Sequence, residues 1–196
     1  MMKQLIHLIL LFWIILDPIG NVPIFVVFLK NLDPKRQRFV ILREMLIALG
    51  ILILFLFFGA TFFKFLNIDT NSLEITGGII LILIAIPMIF SHPDRENLKA
   101  AKEEPFIVPL AVPAIAGPGI LAAITLYGSG VEGSQWLVLT AVVIAWLFSL
   151  PILLLAPFLK KRMGDNGLRA VEHLFGYLLV LIAAQMILHG LVGVFG

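Results

Sequence analysis

Six apolar runs divide the sequence, at about residues 5–29, 39–65, 73–91, 105–128, 135–159 and 170–195. Each is long enough to cross a hydrocarbon core of about 30 Å, which takes roughly 20 helical residues. No water reaches a backbone placed there, so every amide must be satisfied within the protein and the runs are expected to be helices. Only 13% of the residues are charged and 61% are hydrophobic, against about 25% charged in soluble domains. Nearly every residue falls in a span or a short loop, which leaves no soluble domain. The expected class is an all-α integral membrane protein of six transmembrane helices.

Charge fixes the orientation of such a chain. With six spans, the termini and the second and fourth loops share one side and hold Lys3 and Lys64, whereas the other side holds the remaining 12 of the 14 Lys and Arg residues. Basic residues stay cytoplasmic, so both termini are expected to be periplasmic. The first 29 residues carry a lysine and an apolar run but no small-x-small cleavage site, and read as a retained first span. Cysteine is absent, which excludes disulfides and thiolate metal sites.

Two of the spans are interrupted. Asp17-Pro18-Ile19-Gly20-Asn21-Val22-Pro23 sits inside the first run, and Pro113-Ala114-Ile115-Ala116-Gly117-Pro118-Gly119 inside the fourth. Each proline removes a backbone donor and clashes one turn back, so neither run can be one regular helix. Paired Gly/Pro interruptions in corresponding spans of two halves point to a transporter's binding site. The halves are themselves related: at an offset of 98, Glu74, Gly78, Leu81, Leu83, Ile84, Ala85, Met88 and Ile89 match Glu172, Gly176, Leu179, Leu181, Ile182, Ala183, Met186 and Ile187. A three-span unit begins on one face and ends on the other, so its copy is upside down. The expected architecture is an inverted 3+3 repeat with broken helices 1 and 4, its units at residues 1–98 and 99–196.

Asp17 is read as the one carboxylate deep within a span, where a charge costs about 2.5–3.5 kcal/mol or more. It serves either as a cap for the helix that follows, with Pro18 at the first helical position, or as the partner of a cation, a substrate ammonium or a proton. Asn21 caps or binds beside Gly20. Gly117, Pro118 and Gly119 carry no polar side chain, so their contribution is free backbone amides that favour an anionic group. A carboxylate on one break and bare amides on the other suit a small zwitterion. Glu74 and Glu172 are repeat mates at opposite faces, either gates or first-turn carboxylates complementing a helix dipole. Gly77, Gly78 and Gly176 read as packing notches, as do Gly50 and Gly59 in a largely lipid-facing second span. Thr76, Thr125, Ser149 and Gln185 are expected to bond to backbone or across helices. His7, His92, His173 and His189 show no ligand spacing, so no metal site is expected, and no nucleophile with a base or Walker pattern appears, so neither an enzyme nor an ATPase is expected.

With Asp17 to Pro23 in the first span and Ala116-Gly117-Pro118-Gly119 in the fourth, the chain resembles the MarC family, also called the neutral amino acid transporter family, over essentially its full length. Glu104-Pro105-Phe106-Ile107-Val108-Pro109-Leu110-Ala111 and Gly77-Gly78-Ile79-Ile80 look like its YhgN-type branch. His173 and Pro87 stand where similar proteins often have a basic residue, so no gate is expected from charges there. The resemblance implies a bacterial inner-membrane protein, some relatives of which take up glycine, alanine and other small neutral amino acids on an ion gradient. The expected function is secondary transport of a small neutral solute, coupled to sodium or protons, with no cofactor, no nucleic acid partner, and a homo-oligomer left open. Export of amino acids or drugs, and a non-transporting scaffold or lipid-handling role, are the alternatives.

Overall fold

The computed structural model describes residues 2–29, 32–90, 115–129 and 135–195. Among them the chain forms helices α1 (Met2–Leu16), α2 (Val22–Leu29), α3 (Pro34–Phe65), α4 (Thr70–Ile89), α5 (Pro118–Ser129), α6 (Gln135–Leu154) and α7 (Ala156–Phe195), and no strand. Four stretches are long and apolar enough to cross a membrane, Pro34–Phe65, Asn71–Ile89, Gln135–Leu154 and Asn166–Phe195, while Met2–Leu16 and Gly119–Ser129 are shorter apolar helices. The first run is therefore two half-helices, α1 and α2. Only the later part of the fourth run is described, as α5, and residues 105–114 of that run lie outside the described residues.

Local chemistry sets the boundaries. Pro34 takes the first position of α3 behind an extended Asp33, as its fixed φ favours, but the Asp33 side chain makes no capping bond. Gln37 instead turns back and donates its side-chain amide to the Leu29 and Leu32 carbonyls at 3.0 and 2.9 Å, closing the end of α2. Helix α3 ends on Asn67 in the left-handed region (φ 55°), with Ile68 bonded back to Phe63. Asp69 then caps α4 by accepting from the Ser72 amide at 3.2 Å. This corrects one reading of Glu74: α4 begins at Thr70 and has no acidic residue in its first turn, so Glu74 does not complement the dipole there. A single kink at Gly164 (φ 66°, ψ 177°) separates two helical parts of α7.

Packing follows residue size. Helix α3 turns Ile41, Met45, Ala48, Leu52 and Leu56 inward, a helical stripe of three- and four-residue steps, and leaves Leu46, Leu54 and Phe58 on the outside, where a bilayer would solvate them. Helix α4 lies along α7, α1 against α6, α5 against α3, and α3 against α6. The α4–α7 contact is close because of glycines. A Cβ on Gly78 would strike the Ala183 carbonyl and Ile187, and one on Gly176 would meet Ile89, Met88 and the Ala85 carbonyl. Gly77 fits against Ala122 and Met186, and Gly59 against Thr125. Gly50 is not a notch: nothing lies within 4 Å of where its Cβ would be.

Candidate functional site

The break between α1 and α2 is closed by its own polar residues. Asp17 is buried and holds φ at 43°, a left-handed conformation that Asp tolerates better than most residues. Its amide still bonds back to the Trp13 and Ile14 carbonyls, and its Oδ1 accepts from the Gly20 amide at 3.0 Å. Asn21 works in the opposite direction. Its side-chain amide donates to the Leu16 and Asp17 carbonyls at 3.1 and 3.0 Å; the Asp17 carbonyl also accepts from the Asn21 backbone amide at 3.1 Å, so it is the Leu16 carbonyl, at the end of the interrupted helix, that depends on the side chain. Asp17 thus supplies an acceptor for the turn that leads into α2, and Asn21 supplies donors for the end of α1; because α2 begins at Val22, Pro18 lies in that turn and not at the first helical position that the sequence predicts.

On the second break, the Leu121 amide bonds to the Gly117 carbonyl at 3.1 Å, so Gly117 stands where a helix cap stands and Pro118 opens α5. Gly119 is buried, and a Cβ there would collide with Leu81 of α4. Its lack of a side chain is thereby explained by packing. Helices α1 and α5 meet edge to face at Phe12 and Tyr127, with ring centroids 6.0 Å apart.

A cavity of about 270 Å³ opens between α1, α4, α5 and α7. It is lined by His7, Leu11 and Ile15 on α1, by Glu74 on α4, by Ala123, Leu126 and Tyr127 on α5, and by Leu181, Ile182, Gln185, Met186 and His189 on α7. From His7 to Ile15 and from His189 to Leu181 it follows eight residues of helix, about 12 Å. Its inner end reaches Ile15, two residues before Asp17, and Ala123, one turn beyond Gly119. Neither break lines it directly. Of the two gate candidates, Glu74 is in its wall and Glu172 is not.

Several polar residues behave as their size predicts. Thr125 donates to the Leu121 carbonyl at 2.9 Å and Ser149 to the Ala145 carbonyl at 2.8 Å, both within their own helices. Gln185 faces the cavity, and Thr76 is exposed. His7 and His189, far apart in sequence, come to one cavity with Glu74, a convergence that linear spacing hides. Among the described residues no three such side chains form a metal-binding group, and His92 lies outside them.

Asp17 is not the sole buried carboxylate. Glu44 on α3 is fully buried and receives Arg43 at 2.8 Å, whose side chain stays partly exposed. Two adjacent opposite charges in an apolar run were the available signal. Trp13 is also unusual: its indole N–H is buried with no partner among the described residues, and its ring meets Phe175 edge-on at 5.5 Å.

The model of the MarC family of integral membrane proteins matches residues 2–195. The chain belongs to the MarC family. It is 42% identical over 191 residues to the UPF0056 inner membrane protein YhgN of Escherichia coli K12, with 97% of each chain covered. A UPF0056 membrane protein of Buchnera aphidicola from Schizaphis graminum is 43% identical over 190 residues, again with 97% of each covered. One of Chlamydia pneumoniae is 42% identical over 191 residues, covering 97% of this chain and 95% of its own. No solved structure matches the chain. This MarC family member is thus an integral membrane protein that matches these relatives over 97% of its length.

Proposed function

We propose that this MarC family protein is a secondary transporter of small neutral solutes, with amino acids such as glycine and alanine as its first candidate substrates and an ion gradient, sodium or proton, as its driving force. The observation that carries the reading is the cavity whose inner end lies beside both helix breaks. A scaffold whose breaks served packing alone would fill that space with side chains. Gln185 and His189 reinforce the point, because both are largely exposed on the cavity side of α7. Polar groups at that depth are costly against lipid and are satisfied by water or solute.

The reading includes an inverted 3+3 arrangement of residues 1–98 and 99–196, with both termini periplasmic in a bacterial inner membrane. Reciprocal packing supports it. Gly78 abuts Ala183 and Ile187, and its repeat mate Gly176 abuts Ala85 and Ile89, which are the mates of Ala183 and Ile187. Such an exchange is what a two-fold axis in the membrane plane produces. The substrate then occupies the space framed by Asp17, Pro18, Gly20 and Asn21 on one side and Gly117, Pro118 and Gly119 on the other, and Glu74 controls the outer approach, with Glu172 as its inner counterpart.

Uptake of labelled glycine and alanine into proteoliposomes, under imposed sodium or proton gradients, tests the reading. Wild type should accumulate at least one of them and Asp17→Asn, equally reconstituted, should not. Absence of accumulation by wild type under every gradient, in either direction, would remove these substrates.

A further inference from the structure

We infer that the cavity between α1, α4, α5 and α7 selects amino acids with an aliphatic side chain over glycine, with Glu74 receiving the ammonium group and the side chain running inward to Ile15 and Ala123. This inference rests on the transport reading above and names the substrate class admitted by its outer approach, the cavity that Glu74 lines on the way to the breaks.

The cavity has two chemically different ends. Gly190 of α7 stands against Glu74, and one turn further along α4 Gly77 stands against Ala122 and Met186. Glu74 and His189 are therefore at the end nearer the chain terminus, and Ala123 and Met186 are deeper. Helix α1 runs the same course, from His7 at the mouth to Ile15 inside. The mouth is polar and the interior is aliphatic.

Glu74 is the one carboxylate in the lining. It neither caps a helix nor sits in a first turn, and the charge it faces is that of His189 in the same wall. A carboxylate above an apolar recess favours a cation that keeps its hydrogen bonds, and a primary ammonium group provides that. The side-chain N–H groups of Gln185 and His189 stand on the facing helix, where they can receive a substrate carboxylate. What remains is a wall of Ile15, Ala123, Leu181, Ile182 and Met186, which has nothing to offer glycine. Each methylene buried there tightens binding about fourfold.

The test is equilibrium binding of labelled leucine to the protein in lipid nanodiscs, with glycine, alanine and valine as competitors. Affinity should rise in the order glycine, alanine, valine, leucine, and leucine should exceed alanine by about tenfold or more. Glu74→Gln should weaken leucine about tenfold without moving the unfolding temperature. Ala123→Leu, and Leu181→Phe in case the first perturbs folding, should bring leucine and alanine close together. Glycine binding as tightly as leucine, or an unchanged affinity in Glu74→Gln, overturns the inference. Leucine that binds but is never accumulated by proteoliposomes would sink the transport reading and keep the site. Glycine accumulated without discrimination among side chains would do the reverse, and no binding and no uptake of any of the four would overturn both.

Discussion

Gly20 and Asp17 shape one another: the Gly20 amide donates to Asp17 Oδ1 at 3.0 Å, and the volume in which Gly20 would carry a Cβ is filled by that same carboxylate. Gly20→Ala must therefore push the carboxylate off its bond. The expected loss is about 1 kcal/mol for the cap and about 1–3 kcal/mol for overpacking. Asp17→Asn keeps an oxygen in place and should unfold within about 0.5 kcal/mol of wild type, whereas Asp17→Ala should lose about 1 kcal/mol. Thermal unfolding in detergent measures all three. An Asp17→Asn protein as unstable as Asp17→Ala would show that the charge, not the acceptor, holds the break.

Asn21 is expected to be less replaceable than its position in a turn suggests. Its side-chain amide serves two carbonyls at once; removing it leaves the Asp17 carbonyl its bond from the Asn21 backbone amide but strips the Leu16 carbonyl in a poorly hydrated setting, at about 1–3 kcal/mol. Asn21→Asp should be worse than Asn21→Ala, because it turns an acceptor charge toward two acceptors. Equal unfolding temperatures for Asn21→Asp and wild type would refute that arrangement.

The breaks were legible because Pro and Gly in an apolar run leave few alternatives, and the reciprocal notches at Gly78 and Gly176 were legible because small residues recur at one offset. The closure of the first break was only half legible. Asp17 as a cap follows from its place before Pro18, but Asn21 capping backward onto α1 depends on the left-handed turn at Asp17, which sequence does not dictate. The meeting of His7, Glu74, Gln185 and His189 was hidden because it needs the packing of three helices. The burial of Glu44 is not legible because it lies near the start of the second apolar run, where a charge can still reach the membrane surface, whereas α3 begins at Pro34 and turns Glu44 inward.

Gly78 and Gly176, though repeat mates, should differ in tolerance. An alanine at Gly78 meets the Ala183 carbonyl at 2.7 Å, and backbone cannot yield without moving α7. At Gly176 the nearest atoms are Ile89 Cγ1 at 2.9 Å and Met88 Cβ at 3.1 Å, with the Ala85 carbonyl at 3.4 Å, so side-chain adjustment absorbs much of the change. Gly78→Ala should cost about 2–3 kcal/mol and Gly176→Ala about 1 kcal/mol, read as shifts in unfolding temperature. The opposite order would mean that the two helices can separate at Gly78 without penalty.

Trp146 ties α6 to α3 by donating its indole N–H to the Met45 carbonyl at 2.8 Å, beside the buried Glu44. Within α3 that carbonyl sits in the regular helical ladder, so the indole adds a second bond to it rather than rescuing an orphan. Trp146→Phe should then lose about 1 kcal/mol for the bond and about 1–2 kcal/mol for the vacated ring volume. Trp136, 68% exposed at the start of the same helix and edge-on to Phe57, provides the comparison: Trp136→Phe keeps an aromatic edge and should stay within about 0.5 kcal/mol of wild type. If both substitutions lowered the unfolding temperature equally, the loss would come from aromatic packing in general and the α3–α6 hydrogen bond would carry no separate weight.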